Sequence, residues 1–250
     1  MNSLLASIES YRTALVDVVS ETIWPTRCAV CDMPGEVLCD QCRRELPYID
    51  WWRACPRCGS PFGAIQCCEC NDVMLAAAGR SAPGYDGCAS AVLYGDAAAR
   101  IVRTWKDAGD RALSATMARI MAPYALPTWL EKRPVIVGIP ASRAARRARG
   151  FDHGAELALA LAHELDLPIA YALDHPRSLD QRTLGRRGRI ANMSERFSMS
   201  EAAQDIVRQA ASVILVDDVH TTGSTLFAAA DALHAAGVQN VWALTFARVL

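Results

Sequence analysis

The chain has almost no lysine. Of its 26 basic residues only Lys106 and Lys132 are lysines, and the rest are arginine. With so much alanine beside it, this bias reads as the mark of a GC-rich genome, and no partner is inferred from it. The formal net charge is -1, so no global field draws the protein to nucleic acid or to an acidic membrane. No apolar run approaches the length of a bilayer span. The N-terminus lacks the basic start, apolar core and cleavage site of a secretory signal. The expected compartment is therefore the cytoplasm, where thiols stay reduced. The GxxxxGK[ST] loop of nucleotide hydrolases is missing, and His153, His163, His175 and His234 show no metal-ligand spacing. What remains is a globular composition, 52% hydrophobic and 21% charged over 250 residues, with room for one large domain or two unequal ones.

Cysteine is what the chain has in excess. Cys28 and Cys31, Cys39 and Cys42, Cys55 and Cys58, and Cys67 and Cys70 form four CxxC pairs, leaving Cys68 and Cys88 over. Each pair presents two thiolates on a knuckle, and tetrahedral zinc takes two knuckles. The eight cysteines therefore predict one or two structural zinc sites. Sequential pairing joins the first two pairs and the last two; interleaved pairing is the alternative. Redox-active or disulfide-bonded CxxC is the competing reading, disfavoured by the compartment.

Three segments follow from texture. Residues 1–24 carry Leu4, Ile8, Tyr11, Leu15 and Val18 at helical spacing, the apolar face of an amphipathic helix. Residues 25–75 are the cysteine-rich zinc-ribbon segment, where metal stands in for a hydrophobic core. Residues 76–250 begin with turn-rich connector and then alternate strand and helix patterns. Strands are expected at "SAVLYG", "PVIVGIP", "LPIAYAL", "SVILV" and "NVWALTFARV", with helices over 97–122, 152–164 and 225–236. The apolar strands between helices predict an α/β fold with a central, mainly parallel sheet.

One stretch carries chemistry: "SVILVDDVHTTGSTLFAA", residues 212–229. A buried strand runs into Asp217 and Asp218, then a loop of hydroxyls with one glycine, then a helix. Ligands of open parallel sheets bind beyond the carboxyl ends of the strands. A helix start there offers free N–H groups and a positive dipole end, which suit phosphate. Gly223 lets backbone approach an anion, and Thr221, Thr222, Ser224 and Thr225 add hydroxyl donors. Paired carboxylates accept from the vicinal hydroxyls of a ribose and hold Mg²⁺ through its waters. A 5-phosphorylated sugar satisfies both halves.

"VILVDDVHTTGST" resembles the signature of the type I phosphoribosyltransferases. Together with the four CxxC pairs, the chain from about residue 25 to its end is similar to the ComF family, competence-associated phosphoribosyltransferase-like proteins. "WKDAGD" with Lys106, "GIPASRAARRARGFDHGAELALAL" and "QRTLGRRGRIANMSERF" also match that pattern. The resemblance implies a type I phosphoribosyltransferase fold behind a double zinc ribbon. It implies that Asp217 and Asp218 hold the ribose of phosphoribosyl pyrophosphate (PRPP), with Lys106 beside them in the catalytic set. Residues 221–225 would bind the 5-phosphate. Ser142, Arg143 and Arg146 would face the pyrophosphate, and Gln181, Arg189 and Asn192 would belong to a flexible loop that closes over the donor. Mg²⁺ would accompany PRPP, and the acceptor stays open. Where the family has Gly-Phe-Asn-Gln, this chain has Gly150, Phe151, Asp152 and His153, which adds a negative charge near an anion site; neither Asp152 nor His153 is assigned a ligand role. His220 replaces an apolar residue, and is expected to sit beside the carboxylates rather than serve as a base. Some purine-using relatives carry an aspartate at the position of Thr221. Its absence suggests an acceptor that is already a good nucleophile.

Two other functions stay open. Zinc ribbons and arginine clusters suit a single-stranded nucleic-acid module, or one that docks on a competence helicase-like protein, although Phe197 is the lone aromatic in the arginine-rich loop. A PRPP sensor without turnover is the third reading.

Overall fold

The computed structural model describes residues 25–77, 79–174 and 197–250. The expected helix over 1–24 and the loop residues Gln181, Arg189 and Asn192 lie outside the described residues. The chain divides into two compact units, Met1–Glu45 and Leu46–Leu250.

In the first unit the described residues are a metal-ligand scaffold. Arg27 and Asp32 close the first knuckle with a 2.7 Å ion pair, and helix α1 (Asp40–Arg44) opens directly after Cys39.

The second unit holds a second cysteine-rich segment, helix α2 (Asp72–Ala77) and the sheet with its helices. Strand β1 (Gly87–Leu93) leads to α3 (Asp96–Lys106), α4 (Ala112–Met121) and the short α5 (Pro127–Leu130). Strand β2 (Val135–Gly138) leads to α6 (Arg143–Arg149), α7 (His153–Leu165) and α8 (Glu201–Ala210). Strand β3 (Ser212–His220), α9 (Ser224–Ala235) and β4 (Asn240–Arg248) complete the unit. The four strands are all parallel, in the order β1-β4-β3-β2. The expected α/β architecture is therefore present. Helices α8 and α9 cover Val213, Leu215, Val241 and Ala243 on one face, and strand alternation turns Ile214, Val216, Trp242 and Leu244 to the other.

Three elements differ from the sequence reading. The helix expected over 97–122 is two helices, because Gly109 takes a left-handed turn (φ 75°) after Lys106. The break puts Lys106 at a helix end instead of mid-helix. "LPIAYAL" forms only isolated bridges, Ile136 with Ile169 and Leu173 with Met199, since Pro168 offers a carbonyl but no N–H. β3 runs past "SVILV" to His220, paired with β4 through Thr245, Ala247 and Arg248, so both acids belong to the strand itself.

A close approach sets the geometry at the end of β2. A Cβ on Gly154 would lie 1.7 Å from the Ile139 carbonyl, and one on Gly138 would lie 2.4 Å from the Gly154 carbonyl. Only glycine at both positions lets the first turn of α7 sit directly on the strand end.

Candidate active site and metal centres

Asp217 and Asp218 sit at the carboxyl end of β3. Asp218 is buried, and its Oδ2 lies 2.6 Å from the Lys106 ammonium. Asp217 Oδ1 accepts a hydrogen bond from its neighbour's backbone N–H at 2.9 Å. Burial, reinforced by the charge of Asp218, holds the Asp217 carboxyl well above the usual carboxylate range; Lys106 opposes this. The structure thus brings together the three side chains grouped by the sequence, from elements more than a hundred residues apart. The two carboxylates offer the oxygen donors that a hard ion takes, and the Lys106 ammonium already answers the charge of Asp218. Beside Lys106 opens a cleft of about 400 Å³ lined by Lys106, Asp107, Gly109, Ala145 and Arg149.

The loop that follows is ordered by its own hydroxyls. Thr222 Oγ1 and Ser224 Oγ are 2.7 Å apart, and Gly223, with φ 74°, is the N-cap of α9. Gly223 offers that helix no side-chain cap, and the Ser224 N–H reaches the Thr222 hydroxyl only at 3.4 Å; a helix start of this kind presents backbone donors that suit an anion. Thr221 and Thr222 are exposed.

His220 lies beneath the loop. Its Nδ1 is 3.2 Å from the Thr221 carbonyl and its Nε2 is 3.2 Å from the Tyr85 hydroxyl. A carbonyl only accepts, so Nδ1 carries the proton and Nε2 accepts from Tyr85. Burial, and then the charge of Arg248, lower its pKa to about 4. His220 is a packed, neutral side chain beneath the loop, whose partners are Thr221 and Tyr85 rather than the carboxylates beside which the sequence expected it.

The region after β2 is more structural than a ligand list suggests. Ser142 caps α6, accepting from Ala145 N at 3.1 Å. Arg143 and Arg146 are exposed on that helix. Asp152 caps α7 and also accepts from Ala141 N, each at 3.1 Å. The acid that departs from the family pattern therefore neutralises backbone donors. His153 packs edge-on against Trp105, 5.6 Å between ring centres, and burial followed by the charge of Lys106 lowers its pKa to about 4. His153 carried no spacing signal; its packing on Trp105, the neighbour of Lys106, puts it at this site.

The cysteines form two groups of four, Cys28/Cys31/Cys39/Cys42 and Cys55/Cys58/Cys67/Cys70, each with its sulfurs within 4.8 Å of one another. The pairing is sequential. Sulfur separations of 3.7 Å (Cys31–Cys39), 3.6 Å (Cys55–Cys70) and 3.6 Å (Cys58–Cys67) match the edge of about 3.8 Å expected of four thiolates at about 2.3 Å from zinc. Backbone N–H groups point at sulfur, from Cys39 to Cys28 and from Glu69 to Cys67, both at 3.4 Å. Burial pushes the Cys28 thiol up, but backbone donors at Cys31, Cys39 and Val30 outweigh it and bring the value to about 6. These two groups fit structural zinc.

Arg248, Glu69 and Tyr85 escaped the sequence reading. A charged residue in the apolar run "NVWALTFARV" was the available signal, since a buried guanidinium needs partners.

No protein-family profile matches the chain. It is 26% identical over 208 residues to competence protein ComFC of Bacillus subtilis, covering 80% of this chain and 79% of that one. It is likewise 26% identical over 219 residues to competence protein F of Haemophilus influenzae, covering 83% and 89%. The chain is a distant homologue of these competence proteins. Among its described residues no helix is long and apolar enough to cross a membrane.

Proposed function

We propose that this distant homologue of the ComF competence proteins is a phosphoribosyltransferase that takes PRPP as donor. The observation that carries the reading is the meeting of Asp217, Asp218 and Lys106 at the end of β3, followed by the start of α9, whose N-cap is Gly223. Asp217 and Asp218 accept from the ribose hydroxyls, and the amides and hydroxyls of residues 221–225 take the 5-phosphate. Ser142, Arg143 and Arg146 take the pyrophosphate. Arginine suits that task because its fork matches phosphate oxygens. Mg²⁺ fits the carboxylate pair through its waters and, when bound, neutralises charge on the departing pyrophosphate. The bond from C1 of the ribose to pyrophosphate breaks, a bond from C1 to the acceptor forms, and the acceptor's proton leaves to solvent or pyrophosphate. No side chain among residues 221–225 can act as a base at neutral pH, which favours an acceptor that is already nucleophilic. Each cysteine group holds one zinc, the 25–75 segment acts as a ribbon ahead of the transferase domain, and the protein works in the cytoplasm. Pyrophosphate release assayed against a panel of bases and amines tests turnover. Release with none of them, despite donor binding, leaves a PRPP sensor.

A nucleic-acid role is favoured by a different observation. Trp51 and Trp52 are about 60% exposed, with ring centres 5.9 Å apart, and Arg53 stacks 4.6 Å from the exposed Phe62 ring. Exposed aromatics beside arginine are what bases of a single strand stack on, and both relatives are named as competence proteins. A salt-titrated binding assay with oligonucleotides decides: affinity that does not fall with salt argues against it.

A further inference from the structure

Arg248 ends β4 and is only 2% exposed. A guanidinium buried that deeply is tolerated only with fixed partners. Its partners come from both arms of the second cysteine group. Nη1 donates to the Cys58 carbonyl at 2.6 Å, and Nη2 pairs with Glu69, which lies between Cys67 and Cys70. The same Nη2 stands 4.0 Å from the Cys58 sulfur. On its other side Arg248 is the register partner of His220, and Val249 N donates to the His220 carbonyl at 2.9 Å. His220 in turn holds Thr221 through Nδ1, and a Cβ on Gly223 would come within 3.1 Å of its Nε2.

We propose that metal occupancy of the second cysteine group and anion binding by the 221–225 loop are coupled through Arg248 and His220. This rests on the reading of that loop as a phosphate site. All-cysteine knuckles keep their shape only around metal. Without it, the Cys58 carbonyl and Glu69 are no longer fixed, and Arg248 must move or draw in water. That shift reaches the backbone at His220, and so the turn that presents the phosphate-binding amides. In the reverse direction, an anion on the loop fixes His220 and Arg248 and steadies both metal-binding arms. Linkage requires the two effects to be equal.

The test uses the full chain loaded with zinc. Amide hydrogen exchange of residues 220–225 is measured before and after removal of the metal, and ribose 5-phosphate is titrated by calorimetry. Zinc affinity is read by competition with a chromophoric chelator, with and without saturating ribose 5-phosphate. Loss of metal from the second group is expected to speed loop exchange and weaken ribose 5-phosphate about tenfold, and the ligand to tighten that zinc by the same factor. Arg248→Met loosens the loop with zinc still bound, whereas Cys39→Ser, in the first group, leaves it unchanged. Equal loop protection with and without metal overturns the coupling, as does zinc affinity unmoved by a ligand that binds. If Arg248→Met does not fold, the unmodified chain still decides through the chelator and reciprocal measurements. If ribose 5-phosphate fails to bind the zinc-loaded chain, the phosphate reading falls and the coupling with it; ribose 5-phosphate that binds equally with and without the metal overturns the coupling alone.

Discussion

Asp217 and Asp218 share one strand end, and in the absence of ligand Lys106 answers only part of their charge. The folded state raises the Asp217 pKa above its ordinary 3.8. The stability this group contributes is therefore full below about pH 3.8 and lost as pH rises through the folded value. Asp217→Asn keeps the acceptor for the Asp218 amide and removes the charge. It should melt about 2–4 °C higher than the parent at pH 7–8 without ligand, with the gain vanishing toward pH 4, while PRPP binding is lost. Thermal scans across that range check it. Lys106→Met should do the opposite, since it leaves the buried Asp218 without its partner; a loss of about 2–3 kcal/mol is expected in denaturant titrations, less than for a fully buried pair because Lys106 is partly exposed. His220 reads out at lower pH. Its pKa falls from 6.5 to about 4 on folding, so between those values the unfolded chain binds the extra proton. The stability it contributes is present above pH 6.5 and lost as pH falls toward 4. His220→Gln should remove about 2–3 kcal/mol of that acid-side loss, measured as the difference between the two proteins.

At the scale of elements, the strand–loop–helix unit from β3 to α9 was legible because each part has a local cause. Aliphatic residues make the strand, Gly223 supplies the left-handed turn, and small residues build the helix. Gly223→Ala tests that logic: a Cβ there is strained at φ 74° and presses on the His220 ring, so the variant should lose roughly 1–3 kcal/mol and bind phosphorylated ligands at least tenfold more weakly by calorimetry. The cysteines were legible as four zinc knuckles, but their pairing was not, because spacing alone allows both the sequential and the interleaved arrangement. Other features were not. The break after Lys106 hid inside an alanine-rich helical pattern, since Gly109 is tolerated in such patterns until tertiary contacts decide. The seat of α7 on β2 depends on Gly138 and Gly154 meeting across the fold, and Arg248 finds Glu69 from 179 residues away. Spacing along the chain does not encode such meetings.

At the scale of the whole molecule, the described residues hold two groups of four thiolates and an all-parallel sheet with Asp217 and Asp218 at one strand end. Elemental analysis should find two zinc ions per chain, and Cys70→Ser should lower that to one. Isothermal calorimetry of the zinc-loaded chain with PRPP and Mg²⁺ decides whether PRPP is the donor. Saturable one-to-one binding that requires Mg²⁺ and disappears in the Asp217→Asn/Asp218→Asn double variant is the predicted result. No heat with the zinc-loaded, folded chain, or binding unchanged in that variant, would contradict it.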